Sequence, residues 1–123
     1  NIQTQFLTEK TTLVLDQFHL TTAILNVLEN AVKYGSNTIF IKTTLHQNQF
    51  NISIQDDGIG ISKNKHSLLF DKFYRVEQGN LHNTRGLGLG LYYVNQIIKA
   101  HQGSIAVAGD LGKGTLFTIM LKV

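Results

Sequence analysis

The sequence predicts an α+β fold in which a mixed, mostly antiparallel sheet carries helices on one face, as a two-layer α/β sandwich. Two helical patterns, at about 17–34 and 91–101, lie among short segments that alternate apolar and polar residues. The 123 residues are 42% hydrophobic and 15% charged, which is typical of a folded chain rather than a disordered one. We therefore predict a single domain over residues 1–123.

Two extended segments are predicted before the first helix. Residues 2–7 alternate apolar and polar side chains, as a half-buried strand does. Residues 8–10 fit a turn, and residues 11–15 are mostly β-branched or apolar. We expect a strand at 2–7 and a second short strand or extended segment at 11–15.

The first helix is predicted between two residues that favour helix ends. Asp16 is a good N-cap because its carboxylate can accept a hydrogen bond from the first turn. Gly35 can end the helix in a left-handed conformation. The face predicted to be buried contains Leu20, Ile24, Val27 and Ala31.

The polar side of this helix carries a narrow stripe of functional groups. At about 100° per residue, Asn26, Asn30 and Lys33 fall within a sector of about 60°. Two carboxamides and an ammonium on one stripe can bind a hydrated metal ion and phosphate oxygens. The same three residues could also be ordinary solvent-exposed helix surface, and the helix alone does not distinguish these interpretations.

A hairpin and a carboxylate-rich loop follow the helix. Strands are predicted at 38–45 and 50–55, joined by a turn at 47–49. The sequence Asp-Asp-Gly-Ile-Gly at 56–60 comes directly after the second strand. A carboxylate at a strand end can accept a hydrogen bond from an exocyclic amine such as that of adenine. The alternative is an acidic turn that only ends the hairpin.

Three alternate glycines at 86–90 come directly before the second long helix. Glycines let the backbone approach an anion, and a helix N-terminus supplies unpaired N–H groups. A Rossmann loop does not fit because Leu91 occupies its third glycine position, and a P-loop does not fit Gly-Lys-Gly-Thr at 112–115. We predict a phosphate-binding loop of another kind, the alternative being a mobile linker.

The remaining segments predict one short helix and two further strands. Residues 62–73 contain a short helix or turn, and residues 74–85 have no convincing period, which is typical of a functional or mobile segment. Gly103 is placed to end the second long helix. Strands are predicted at 104–108 and 115–123, joined by the loop 109–114.

Composition and charge exclude several classes of function. Cysteine is absent, which excludes thiolate metal sites and cysteine nucleophiles. The net charge of +3 is scattered, so we predict no nucleic-acid binding. No apolar run approaches the ~18 residues of a membrane span, so we predict no membrane contact by this domain. Because the first residue is Asn and not Met, we expect a piece of a larger protein.

Five short motifs in a fixed order are more specific together than separately. Asn-x3-Asn-Ala-x-Lys-Tyr, Asp-x-Gly-x-Gly, Phe-x2-Phe, Gly-x-Gly-x-Gly-Leu and Gly-x-Gly-Thr lie between residues 26 and 115. This set resembles the catalytic ATP-binding domain of sensor histidine kinases, in the superfamily that also holds gyrase, Hsp90 and MutL ATPases. The resemblance covers essentially the whole chain and implies a Bergerat-type ATP-binding fold.

The resemblance also implies a role for each matching residue. Asn26 and Asn30 would hold Mg²⁺ with the phosphates, and Lys33 and Tyr34 would contact phosphates and ribose or adenine. Asp56 would recognise the adenine amine. The other residues assigned to the nucleotide site by the resemblance are Gly58, Gly60, Ile61, Phe70, Phe73, Arg85, Gly86, Leu87, Gly88, Leu89, Gly90 and Thr115.

A mobile lid over about 74–88 is implied between the aromatic motif and the glycine loop. Arg75, at its base, would act on the γ-phosphate or dock on a partner. The family often has Thr or Ser where this chain has Leu87, so there we expect backbone contacts with the phosphates.

Asn26 favours a kinase over an ATPase. Related ATPases usually carry a glutamate base at this position, whereas a carboxamide cannot take a proton from water. Phosphate transfer to a protein is therefore favoured over hydrolysis. Glu29 is assigned to polarising the incoming histidine, with an exposed helix acid as the alternative.

The phosphoacceptor is predicted to lie outside this chain. None of His19, His46, His66, His82 and His101 is followed by an acidic residue as the family's acceptor is, so all five are predicted to be structural or surface residues. The implied partners are a dimerisation and histidine-phosphotransfer domain of the same parent protein and a downstream response regulator, in the cytoplasm. The alternatives are an ATPase or conformational switch, a serine kinase of the anti-sigma type, or a protein-binding module without catalysis.

Overall fold

Five strands form one mixed sheet. The structure, a computed structural model, describes residues 1–7, 13–35, 37–72 and 90–123. The spatial order of the strands is β1-β2-β3-β5-β4, with β1 and β2 parallel and the other neighbours antiparallel. The strands are β1 Ile2–Phe6, β2 Ile39–His46, β3 Gln49–Asp56, β4 Ser104–Gly109 and β5 Thr115–Lys122.

Helices pack on one face of this sheet, which confirms the predicted two-layer fold. They are α1 Gln17–Lys33, a 3₁₀ helix Lys63–Leu68 and α2 Gly90–Ala100. Along β3, alternate residues are buried beneath the helices, because successive side chains of a strand point to opposite faces. The central core residues are Val27 of α1, Ile54 and Ile119 of the sheet, and Val94 and Ile98 of α2.

Both predicted ends of α1 are confirmed. The Asp16 carboxylate accepts a hydrogen bond from the backbone N–H of His19 at 3.0 Å and also contacts the His19 ring at 2.9 Å. At the other end, Gly35 has a φ of 80°, which L-residues with a side chain adopt only at a steric cost.

His101 joins the end of α2 to the start of α1. Its Nε2 atom accepts a hydrogen bond from the backbone N–H of Asp16 at 2.9 Å, so the proton of the neutral ring lies on Nδ1, 2.8 Å from the carbonyl oxygen of Ile97. His19 and His101 therefore both make structural contacts, as predicted for them.

For 11–15 we predicted a short strand or an extended segment, and the strand is not found over the part that the structure describes. Residues 11 and 12 lie outside the described residues, and 13–15 are not in a strand. Leu13 and Leu15 pack against the core, whereas Val14 is fully exposed. The apolar character of Leu13 and Leu15 reflects this packing. It does not make the segment a strand, because a strand also requires a neighbouring strand for its backbone hydrogen bonds.

The hairpin between β2 and β3 turns more tightly than predicted. Only Gln47 and Asn48 form the turn, with φ values of 50° and 62°. Positive φ at both positions matches the twist of a two-residue hairpin. Gln49, predicted in the turn, therefore already belongs to β3.

Candidate functional site

Asp56 is the last residue of β3 and lies directly opposite Thr115, the first residue of β5. Its Oδ1 atom accepts hydrogen bonds from the backbone N–H groups of Gly58 at 2.9 Å and Thr115 at 3.2 Å. Among the described residues, both hydrogen bonds to this carboxylate go to Oδ1. The Oδ2 atom is therefore available to a donor on a ligand.

Partial burial changes the acidity of Asp56. Desolvation raises the pKa of this carboxyl above its ordinary value of 3.8, although the hydrogen bonds from Gly58 and Thr115 lower it. The adjacent charge of Asp57 raises the same pKa further. A half-buried carboxylate with a perturbed pKa at a strand end is a candidate for ligand recognition.

The loop after Asp56 lies against the C-terminal end of α1. The backbone N–H of Ile59 donates a hydrogen bond to the carbonyl oxygen of Tyr34 at 3.4 Å. A Cβ atom on Gly58 would lie 2.8 Å from that same oxygen, so only glycine allows this approach. The Asp56 loop and the Tyr34 end of the helix therefore form one continuous surface.

The glycine-containing loop at 109–115 packs against the loop at 56–60. A Cβ atom on Gly60 would overlap with the carbonyl oxygen of Asp110, and one on Gly114 would overlap with that of Asp56. Gly60 and Gly114 have φ values of 76° and 74°. The N–H of Gly112 donates a hydrogen bond to the carbonyl oxygen of Ile59 at 2.7 Å. The backbones of 56–60 and 109–115 thus pack directly on one another.

The carboxamide stripe of α1 lies next to the start of α2. Asn26 donates a hydrogen bond from Nδ2 to the carbonyl oxygen of Thr22 at 2.9 Å, and its Oδ1 lies 3.4 Å from where a Gly90 Cβ would lie. Asn30 is partly buried one turn further on. Lys33 is exposed, with Nζ 5.9 Å from the centre of the Tyr34 ring.

Three other predicted site residues differ in how far they are buried. Phe70 is partly buried in an edge-to-face contact with Phe117, with ring centres 6.3 Å apart. Ile61 belongs to the core and is only 7% exposed, so little of its surface is open to a ligand. Glu29 is exposed on α1.

This geometry has counterparts among known proteins. The family model described as histidine kinase-, DNA gyrase B- and HSP90-like ATPase matches residues 15–123, most of the chain. The chain belongs to this ATPase family. Membership in this family implies ATP use.

The similar members of the family are sensor proteins. Sensor protein RprX of Bacteroides fragilis strain YCH46 is 46% identical over 110 residues, which are 86% of this chain and 21% of RprX. The solved structure of the mycobacterial sensor histidine kinase MprB has a TM-score of 0.83 and 26% identity, covering 98% of this chain and 83% of that one. Full-length ShkA in complex with AMPPNP has a TM-score of 0.83 and 25% identity, covering 98% of this chain and 25% of that one.

The curated relatives are much longer than this chain. The chain spans about a fifth of the length of the curated relatives it matches first. Within the described ranges, no helix has both the length and the apolarity that a membrane crossing requires.

Several residues predicted for the ATPase-family site lie outside the described residues. The lid at about 74–88 and His82 lie outside them as well. The predicted site residues concerned are Phe73, Arg75, Arg85, Gly86, Leu87, Gly88 and Leu89. In the described part of the site, contacts join Asp56 with Gly58 and Thr115, Gly58 with Tyr34, and separately Asn26 with Gly90.

Sequence reasoning missed two contributors to the site of this family member. Asp57 was counted only as the second acid of its motif, yet its Oδ1 accepts hydrogen bonds from the N–H groups of Asn37 at 2.8 Å and Thr38 at 3.0 Å. The carbonyl oxygen of Asp110 approaches Gly60 too closely for any other residue there. Consecutive acids after a strand were the available signal for Asp57, because neighbouring side chains in extended chain point in opposite directions.

Proposed function

We propose that this chain is the ATP-binding catalytic domain of a sensor histidine kinase. It binds ATP with Mg²⁺ and transfers the γ-phosphate to a histidine on a dimerisation domain of the same parent protein. The observation that carries the proposal is Asp56, a half-buried carboxylate in a glycine-built loop that lies against the end of the carboxamide helix. Its similarity to sensor histidine kinases supports the same conclusion.

The residues around Asp56 fit an adenine base. Adenine presents an exocyclic amine that can donate to Oδ2, while Oδ1 is already held by two backbone N–H groups. Gly58 and Gly60 let the loop pack against the carbonyl oxygens of Tyr34 and Asp110, which holds Asp56 in place beside the base. We therefore assign base recognition to Asp56, with Thr115 and these two glycines as its supports.

The carboxamide stripe fits a magnesium ion that is shared with the phosphates. Mg²⁺ prefers oxygen ligands and keeps several waters, and it is commonly held by few protein groups together with substrate phosphates. The described residues contain no cluster of three or more His, Asp or Glu side chains that could hold a metal ion by themselves. The side-chain oxygens of Asn26 and Asn30 are the protein ligands we propose. When bound, the ion supplies charge neutralisation to the phosphates.

Phosphoryl transfer requires mainly positioning and charge neutralisation from this chain. A nitrogen of the acceptor imidazole bonds to the γ-phosphorus, while the bond from that phosphorus to the β–γ bridging oxygen breaks. ADP leaves with the electron pair, and the imidazole passes the proton of its other ring nitrogen to solvent water. Glu29 is exposed on α1 and is proposed to polarise the imidazole. Lys33, together with Arg75 and Arg85, is proposed to neutralise the phosphates.

The carboxamide of Asn26 separates this function from ATP hydrolysis. A carboxamide is not a base, so water at this position is not activated. The isolated domain is therefore expected to bind ATP and hydrolyse little of it. A response regulator would receive the phosphate from the dimerisation domain in the cytoplasm, where ATP is available.

A phosphotransfer assay tests this function. The domain is mixed with the dimerisation hairpin of its parent protein and ATP labelled on the γ-phosphate. We expect acid-labile, base-stable label on the hairpin, and its loss in Asn26→Ala but not in Gln96→Ala, an exposed amide of α2. Rapid phosphate release without the hairpin indicates an ATPase instead, and acid-stable label indicates a serine kinase.

A further inference from the structure

Asp57 connects the end of β3 to the loop that leaves α1. Its Oδ1 atom accepts hydrogen bonds from the backbone N–H groups of Asn37 at 2.8 Å and Thr38 at 3.0 Å. Both distances are typical of N–H···O hydrogen bonds. One carboxylate oxygen therefore anchors two consecutive residues of that loop.

The same loop is anchored on its other side to the first residue of the chain. The backbone nitrogen of Asn1 donates to the carbonyl oxygen of Asn37 at 3.1 Å, and the N–H of Ile39 donates to the carbonyl oxygen of Asn1 at 2.9 Å. Asp57 thus completes a set of contacts that fixes Asn37 and Thr38, directly before β2. Between this set and α1 lies Gly35, whose left-handed φ of 80° marks the sharp change of direction after the helix.

The position of Asp57 places it between the two parts of the proposed nucleotide site. Asp56, directly before it, is the carboxylate assigned to the base. Directly after it, Gly58 and Ile59 contact the carbonyl oxygen of Tyr34 at the end of α1. The four residues 56–59 therefore set the distance between the base carboxylate and the helix end that carries Lys33 and Tyr34.

We propose that Asp57 is a positioning residue that holds the C-terminal end of α1, with Lys33 and Tyr34, in register with Asp56. The inference rests on the proposed function in taking a nucleotide as the ligand that spans both parts. A rigid spacing matters because a ligand that makes contacts at two points loses affinity when one point moves by about 1 Å. Adenosine, which lacks phosphates, depends less on that spacing than ADP does.

Two substitutions at Asp57 separate its hydrogen bonds from its charge. Asp57→Asn keeps an acceptor oxygen at Oδ1 and removes the charge, whereas Asp57→Ala removes both. Loss of the charge lowers the pKa of Asp56 in both variants, because the Asp57 charge contributes to raising it. A difference between the two variants therefore reports on the acceptor oxygen that Asn keeps and Ala removes.

Calorimetric titration with ADP plus Mg²⁺ and with adenosine is the decisive measurement. We expect Asp57→Ala to weaken ADP binding by about tenfold, within the range of one typical hydrogen bond, and adenosine binding by clearly less. Asp57→Asn should remain within about threefold of the unsubstituted domain for both ligands. Asp71→Ala removes an exposed carboxylate elsewhere and should change neither affinity.

Amide hydrogen exchange tests the positioning role without any nucleotide. In Asp57→Ala the amides of Asn37, Thr38 and Ile59 should exchange faster, and in Asp57→Asn they should not. If ADP does not bind the unsubstituted domain, the proposed function fails while the exchange result still decides the role of Asp57. The inference is overturned by unchanged exchange, by equal effects of Asn and Ala, or by equal losses of ADP and adenosine binding in Asp57→Ala.

Discussion

Two neighbouring carboxylates at the end of β3 have different chemical environments. Asp56 is half-buried, and desolvation raises its pKa above 3.8. Asp57 is exposed and accepts hydrogen bonds from the loop after α1. The difference arises because successive side chains of extended backbone point to opposite sides, so one acid faces the proposed ligand and the other faces the supporting loop.

Asp56→Asn is expected to abolish nucleotide binding while the domain stays folded. The asparagine Oδ1 can still accept from Gly58 and Thr115, but an amide donor then replaces Oδ2 and faces the adenine amine, which is also a donor. Calorimetry with ADP measures the loss, and thermal unfolding measures the fold. Unchanged ADP affinity would show that this carboxylate does not recognise the base.

The same variant has a predicted pH signature. Because the pKa of Asp56 is raised on folding, the folded state binds more protons than the unfolded state between 3.8 and the raised value. The contribution of this group to stability is therefore greatest at low pH and falls as the pH rises through that window. Asp56→Asn should remove this dependence, so its stability relative to the original should increase with pH across the window. A constant difference would contradict the assignment of a raised pKa.

Among the elements, the closest packing is between the two glycine loops at 56–60 and 109–115. Backbone meets backbone there, with Gly60 against the carbonyl oxygen of Asp110 and Gly114 against that of Asp56. Such contact leaves no space for side chains and positions Asp56 by covalent geometry and main-chain hydrogen bonds. The arrangement is stiffer than one that relies on long side chains, because few rotatable bonds separate the parts.

Gly60→Ala and Gly112→Ala form a matched pair that tests this contact. Both glycines have φ near 77°, at 76° and 78°, so alanine brings a similar backbone strain of about 1–2 kcal/mol in each. A Gly112 Cβ meets no atom within 4 Å, whereas a Gly60 Cβ overlaps with backbone. We expect Gly60→Ala to lower the free energy of unfolding, measured by chemical denaturation, by about 1–3 kcal/mol more than Gly112→Ala does. Gly60→Ala should also lose ADP binding. Equal costs would mean that the loops move apart easily.

At the scale of the whole molecule, the site consists of parts that are distant in sequence. Antiparallel pairing of β3 with β5 brings Thr115 to Asp56, and packing of α1 on α2 brings Gly90 to Asn26. The base side thus depends on the sheet, whereas the proposed metal side depends on the two helices. This division predicts that base binding and magnesium binding can be lost separately.

Asn30→Ala should reduce the part of ADP binding that depends on magnesium, without changing the binding of adenosine. Chelation of Mg²⁺ should weaken ADP binding to the unsubstituted domain by about tenfold, and the effect should be clearly smaller in Asn30→Ala. Adenosine binding, which depends on Asp56, should be equal in both proteins. Calorimetry with and without a chelator measures this, with Gln96→Ala as the matched control. A variant that retains the full magnesium effect excludes Asn30 as a ligand.

Much of the fold could be predicted because its signals are local. Asp16 and Gly35 mark the ends of α1, and both act as predicted. The strand that was one of two predictions for 11–15 is not found at 13–15, because apolar composition does not reveal whether a strand has a neighbour to pair with. The hydrogen bonds of Asp57 could not be predicted, because its partners Asn37 and Thr38 come close to it only after β2 and β3 have paired.

The amino-acid sequence by itself determined the class of fold, the helix ends and the family, because these follow from periodicity, capping chemistry and short motifs of fixed spacing. Only the tertiary structure decided which backbones touch. Gly58 against Tyr34, Gly60 against Asp110 and Gly114 against Asp56 are contacts between segments far apart along the chain. Such contacts depend on how strands and helices pack. A pattern along the sequence does not show which distant segments will come into contact.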